Sequence, residues 1–243
     1  MRLRRLCSEE PSGGLDMSDV RGLPFILGLI AGSTDTISFL GMKGLFTAHI
    51  TGDLVVLATR LVTGDSATLA FMLALPVFIL SLLLTSLLAN RLRRSGIATL
   101  VPLLSLELLL LLVCLALCIT CHPRFDDGSA VGLTVGMFGV AAMAVQSALV
   151  QLSLSNTPST AVMTTNMTSL VVALAEVWTR HEVTAVEKAR RRIGQVLPVI
   201  VGFTLGCALG AVVEAVSDLW SLGLPAVMTL LALAVACRQS IAS

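Results

Sequence analysis

The chain has 243 residues, of which 56% are apolar and only 13% charged, with a mean hydropathy of +0.93. Soluble domains carry roughly 25% charged residues, and a water-soluble core does not absorb this much apolar surface. A formal net charge of +1 argues against a nucleic-acid partner, and the composition reads as an all-α polytopic membrane protein.

Residues 1–21 carry Arg2, Arg4 and Arg5 beside Glu9, Glu10, Asp16 and Asp19, broken by Pro11, Gly13 and Gly14. They lack the apolar centre of a cleavable signal peptide and are expected to form a disordered cytoplasmic tail. Residues 22–243 are then one transmembrane domain. Apolar segments follow at Leu23–Leu40, Leu69–Ala89, Ile97–Ile119, Val131–Leu152, Gln195–Val213 and Leu222–Cys237. Each approaches the roughly 20 residues that span a ~30 Å hydrocarbon layer. Two further apolar stretches, Phe46–Val62 and Thr160–Trp178, begin with polar clusters. The expected fold is a helical bundle of six crossings plus two polar-led broken or re-entrant helices; the alternative is eight full crossings.

Positive charge supports the six-crossing reading. It puts 13 of the 16 Lys and Arg residues with the two chain ends on the cytoplasmic side, and leaves Lys43, Arg60 and Arg124 opposite. Eight crossings would place 12 there. The plasma membrane is the expected location. Among the six cysteines, Cys118 and Cys121 precede His122 in a C-x-x-C-H spacing, but a helix end running into a loop is the simpler reading than haem attachment. No cofactor or metal is expected.

The chain also aligns with itself. Thr47-Ala48-His49-Ile50-Thr51-Gly52-Asp53-Leu54-Val55-Val56-Leu57-Ala58 lies over Thr164-Thr165-Asn166-Met167-Thr168-Ser169-Leu170-Val171-Val172-Ala173-Leu174-Ala175 without a gap. Upstream of each segment is a glycine-bearing helix with a polar residue near its far end, Asp35 in one and Gln146 in the other; downstream come two apolar helices. Two diverged repeats, 22–121 and 129–238, are the expected organisation. If the polar-led segments do not cross, each repeat has three crossings and the second copy is inverted.

At these residues the chain resembles the YoaK-like family of membrane proteins, catalogued as domain of unknown function 1275. The family's pattern of G-x-x-D-A followed by F-x-x-x-x-T-G-N is matched by Gly32-Ser33-Thr34-Asp35-Thr36 and by Phe46 through Asp53. Its second half resembles Gln146-Ser147 and Thr164-Thr165-Asn166-Met167-Thr168-Ser169. Asp53, Ser147 and Ser169 stand where the family usually has Asn, Asn and Gly. The resemblance implies a compact transporter-like membrane protein and no particular substrate.

Ionisable side chains inside membrane segments cost roughly 2.5–3.5 kcal/mol each on insertion scales and usually face a cavity or a partner. Here they are Asp35, His49, Asp53, Glu107, Glu176 and Glu214. Glu176 and Glu214 lie near helix ends, where interfacial exposure suffices. Glycines spaced by four at Gly28 and Gly32, at Gly132 and Gly136, and at Gly202, Gly206 and Gly210 are expected to let helices approach closely. No nucleophile with a base and no phosphate loop is present, so an enzyme is not expected. The expected function is a secondary transporter or permease of a small solute. Its substrate site would comprise Asp35, His49, Thr51, Gly52, Asp53, Gln146, Thr165, Asn166 and Thr168, with Asp35 or Glu107 as proton carrier. The alternatives are a non-transporting membrane scaffold or assembly factor, or a channel. Expected partners are the lipid bilayer and a small solute, with a homo-oligomer left open.

Overall fold

The structure, a computed structural model, describes residues 22–64, 68–121, 129–154, 157–179 and 182–242. The tail of residues 1–21 and His122 of the C-x-x-C-H spacing lie outside the described residues. Within them the chain forms α1 (Leu23–Gly41), α2 (Ile50–Thr63), α3 (Thr68–Arg94), α4 (Leu100–Cys121), α5 (Ala130–Ser153), α6 (Met163–Thr179), α7 (Val183–Ser217) and α8 (Gly223–Ala242). A 3-10 turn at Asp218–Leu222 joins α7 to α8. All but α2 and α6 are long and apolar enough to cross a membrane. The shortest of these six, α1 with 19 residues, is about 28 Å long. The protein is a multi-pass membrane protein.

Local chemistry sets the helix ends. Pro24 occupies the first turn of α1, where its missing N–H leaves no bond unmade. Ser129 caps α5 by accepting from the Gly132 N–H at 3.2 Å. Gly64 closes α2 with φ of 75°, a left-handed conformation that favours glycine.

The central contact is α1 on α7. A methyl group at Gly32 would lie 2.2 Å from the Phe203 carbonyl oxygen, and one at Gly202 would lie 2.2 Å from that of Phe25. Backbone therefore rests on backbone along this seam, as small residues permit between membrane helices. Around it, α8 packs on α1 and α4, α5 packs on α3 and α4, α2 lies on α3, and α6 lies on α7. Each of the main pairs has a counterpart under exchange of the first four helices for the last four: α1–α7 with α5–α3, α1–α8 with α5–α4, α2–α3 with α6–α7.

The antiparallel α4–α5 pair is registered at two points. Thr99 and Ser153 hydroxyls meet at 2.7 Å, and the Cys114 thiol donates to the Val135 carbonyl at 3.1 Å. The buried stripe of α4 is Leu100, Leu103, Leu104, Glu107, Leu111, Cys114 and Cys118, so one carboxyl group interrupts an otherwise apolar seam.

Candidate functional site: two anchored connections

With six crossings, α1 starts at the end of the bundle where α8 finishes, here termed the near end, and α1 runs to the far end. The connection 42–49 does not continue outward. It dips back beside α1 until Asp35, six residues before the last residue of α1 and thus about 9 Å inside the far end, takes hold of it. Asp35 Oδ1 accepts from the backbone N–H of Thr47 at 2.9 Å and of Ala48 at 2.7 Å, and from the Thr47 hydroxyl at 3.3 Å. Its Oδ2 meets Nδ1 of His49. The first turn of α2 adds another tie, because Asp53 Oδ1 accepts from the Phe46 N–H at 2.9 Å.

From there α2 returns to the far end. The Arg60 guanidinium donates to the carbonyl of Lys43, at the close of α1, and lies 4.4 Å over the ring of Phe71 in the first turns of α3. A helix of 14 residues, about 21 Å, that starts beside Asp35 and finishes beside Lys43 is re-entrant. The connection itself is clasped on its other side by α5. A methyl group at Gly136 would meet Leu45 at 2.9 Å, and one at Gly139 would meet Thr47 at 3.0 Å. The sequence expectation of a helix–helix contact at Gly136 is thus replaced by contact with the dipping connection.

The second connection, between α5 and α6, repeats this geometry from the near end. Gln146 lies seven residues before the end of α5, about 10 Å inside. Its Nε2 donates to the Thr160 hydroxyl at 3.1 Å and to the Leu27 carbonyl of α1 at 3.0 Å. In the first turn of α6, Asn166 Nδ2 donates to the Ser159 carbonyl at 2.7 Å. Helix α6 then runs out along α7, where Glu176 and Arg192 pair at 3.8 Å. Ile50 and Met163 begin the two short helices, Asp53 and Asn166 each reach back seven residues, and Thr47 and Thr160 each bond the anchor; members of every pair are 113 residues apart. Residue identity instead pairs Thr47 with Thr164, one helical turn away from its structural counterpart.

The structure therefore gathers Asp35, His49 and Asp53 in one network and Gln146 and Asn166 in another. Leu27, which Gln146 touches, precedes Asp35 by eight residues, about 12 Å along α1. Gly52 lies under the Phe46 ring, which a methyl group there would meet at 3.2 Å. Thr51, Thr165 and Thr168 face outward from the bundle, and the Thr168 hydroxyl bonds the Thr164 carbonyl of its own helix. Glu107 is fully buried in α4 and makes no hydrogen bond to either network. Glu214, three residues before the end of α7, is half-buried: it accepts from the Ser221 hydroxyl, and a methyl group at Gly41 would lie 2.9 Å from it. Thr47, Ser159 and Thr160 join the networks although residue type alone did not single them out. Their signal was position, at the entry to each polar-led stretch.

Two features make the first network chemically open. Asp53 is 1% exposed and its Oδ2 has no hydrogen-bond partner. The His49 side chain, by contrast, is 28% exposed and stands edge-on to Phe203 of α7, with ring centroids 5.4 Å apart. An imidazole in contact with a carboxylate and open on its other side is suited to passing a proton or accepting a polar solute group. Among the described residues, no group of three or more His, Cys, Asp or Glu side chains is placed to hold a metal ion.

No curated protein and no solved structure matches the chain. The family model described as "Protein of unknown function (DUF1275)" matches residues 23–235, nearly the whole membrane domain, and the chain belongs to that family.

Proposed function

We propose that the protein is a secondary transporter or permease of a small solute, built from two inverted copies of one unit, YoaK-like in character. The observation that carries this reading is the pair of re-entrant segments, entering from opposite ends and each tied to a polar side chain about 9–10 Å deep. Irregular backbone at membrane depth is tolerated where protein buries it or where it lines a pathway, and paired broken helices in two halves are a recurrent mark of transporter sites. The shared 113-residue spacing and the exchange-symmetric packing support duplication. Three crossings per unit make the copies inverted.

Under this reading the solute enters from the far end past His49 and Phe203, and meets Asp35, Asp53 and Gly52. The near-end pathway runs by Gln146 and Asn166. The Asp35–His49 pair and Glu107 handle protons. In this reading both chain ends are cytoplasmic, a side that the distribution of Lys and Arg favours, and the membrane is the plasma membrane.

The test has two steps. Metabolites that change when the gene is deleted supply candidate solutes, and uptake of each into proteoliposomes containing the purified protein is then measured. The proposal predicts uptake that Asp35→Asn and His49→Ala abolish while both variants still insert in the membrane. Variants that lose thermal stability with flux unchanged, or a wild-type protein that moves no candidate while binding a co-purifying partner, would instead identify a scaffold.

A further inference from the structure

The carboxyl group of Glu107 makes no hydrogen bond to either network. It is 0% exposed, in the middle of the α4 stripe, and neither of its oxygens has a hydrogen-bond partner. An ionised carboxylate in that state would bear the full cost of a buried, unpaired charge. The neighbouring elements offer no counter-ion. Helix α5 contains no ionisable residue, α8 contributes only Cys237 and an exposed Arg238, and the 3-10 turn brings Asp218 at the opposite end of α4. On α4 itself the other titratable groups are Cys114, Cys118 and Cys121.

A second orphan lies within about one helical turn of that level. Gln146 is 1% exposed, and while its Nε2 makes two hydrogen bonds, its Oε1 makes none. The two register points of the α4–α5 pair fix the relative level. Glu107 lies midway between Thr99 and Cys114, and Ala144 lies midway between Ser153 and Val135. Gln146 is two residues from that level, about 3 Å along the axis. It also shares the stripe of α5 that includes Val135, Ala142, Leu149 and Ser153, the face that carries both register contacts to α4.

These orphans are complementary. An amide oxygen lacks a donor, and a carboxyl group becomes a donor when it holds a proton. We infer that Glu107 is a proton-binding site, held in the bundle as a neutral carboxylic acid whose O–H is directed to Oε1 of Gln146. Binding adds one proton to one carboxylate oxygen, and no other bond changes. Through Gln146 the proton is coupled to the second connection, because the same amide ties Thr160 and the α1 backbone. Losing the proton places a bare carboxylate beside an unpaired amide oxygen, which repels Gln146 and loosens its hold on Thr160. That consequence deepens the transport reading and rests on it; the proton site does not.

Infrared spectroscopy of the full-length protein in lipid nanodiscs at neutral pH tests the inference. The C=O band of a protonated carboxyl is expected in the wild type and is expected to be lost in Glu107→Gln, which keeps the shape of the neutral acid. Gln146→Leu leaves Glu107 in place, and is expected to shift the band to the higher frequency of an acid without a hydrogen-bond acceptor. A spectrum in which Glu107→Gln removes a carboxylate signal instead, or in which Gln146→Leu leaves the band in place, would overturn the proposal. The readout is the proton and not flux, so its failure is separate from a failure of the transport reading.

Discussion

The two connections solve one physical problem with different chemistry. Each brings unpaired backbone groups about 9–10 Å into a membrane domain, where an unsatisfied N–H or C=O costs several kcal/mol. At the first, a carboxylate on α1 accepts two backbone N–H groups and a hydroxyl, and also contacts the His49 imidazole. At the second, a neutral amide on α5 donates to one hydroxyl and to the backbone of α1. The first connection is held by its own main chain. At its anchor the second is held at a side chain, by a residue that also fastens α5 to α1, while Asn166 ties its main chain at the Ser159 carbonyl. The difference teaches that one scaffold can hold one end firmly and leave the other easier to release.

The largest effect is expected from removing the first anchor. Asp35→Ala strands the buried Thr47 and Ala48 N–H groups, and unfolding in detergent should show a loss of about 4 kcal/mol at roughly 1–3 kcal/mol per orphaned group. Gln146→Leu should cost less, about 1–2 kcal/mol, since it strands the Thr160 hydroxyl and one shared carbonyl. An equal loss at the two sites would break the contrast. Gly139→Ala should cost about 1 kcal/mol by pressing a methyl group on Thr47, measured the same way. Hydrogen exchange sharpens the comparison further: the amides of Thr47 and Ala48 should exchange more slowly than that of Ala161, which is bonded to the neighbouring Ser159 hydroxyl. The smallest effects belong to Thr51→Val and Thr168→Val, within about 0.5 kcal/mol, because both residues face outward.

Much of this was legible in the sequence. The six crossings followed from apolar length, and the two short helices from the polar residues that lead them. Asp35 and Gln146 stood out because each is polar near the end of an apolar helix, and both are the anchors of the dipping connections. The facing of the short helices was not legible. A helix such as α4 is apolar on nearly every side, so the contrast between faces that orients a helix in a soluble protein is weak here. Residue type accordingly groups Thr51, Thr165 and Thr168 with Asp53 and Asn166, although they point the other way. Residue identity pairs Thr47 with Thr164, one turn from Thr160, which makes the matching anchor bond, because threonines recur every four residues. The role of Gly136 and Gly139 was hidden for a related reason. Spacing shows that something approaches closely, and only the fold shows that it is a connection.

The central claim is that the connection 42–49 dips in and α2 returns to the end it came from. Single cysteines placed at Lys43 and at Thr63, in a background with the native cysteines replaced, can be labelled with a membrane-impermeant maleimide in intact cells and in inverted vesicles. The re-entrant fold predicts that both positions label from the same side of the membrane, and that Thr179→Cys labels from the other. Labelling of Lys43→Cys and Thr63→Cys from opposite sides would make α2 a full crossing and contradict the account.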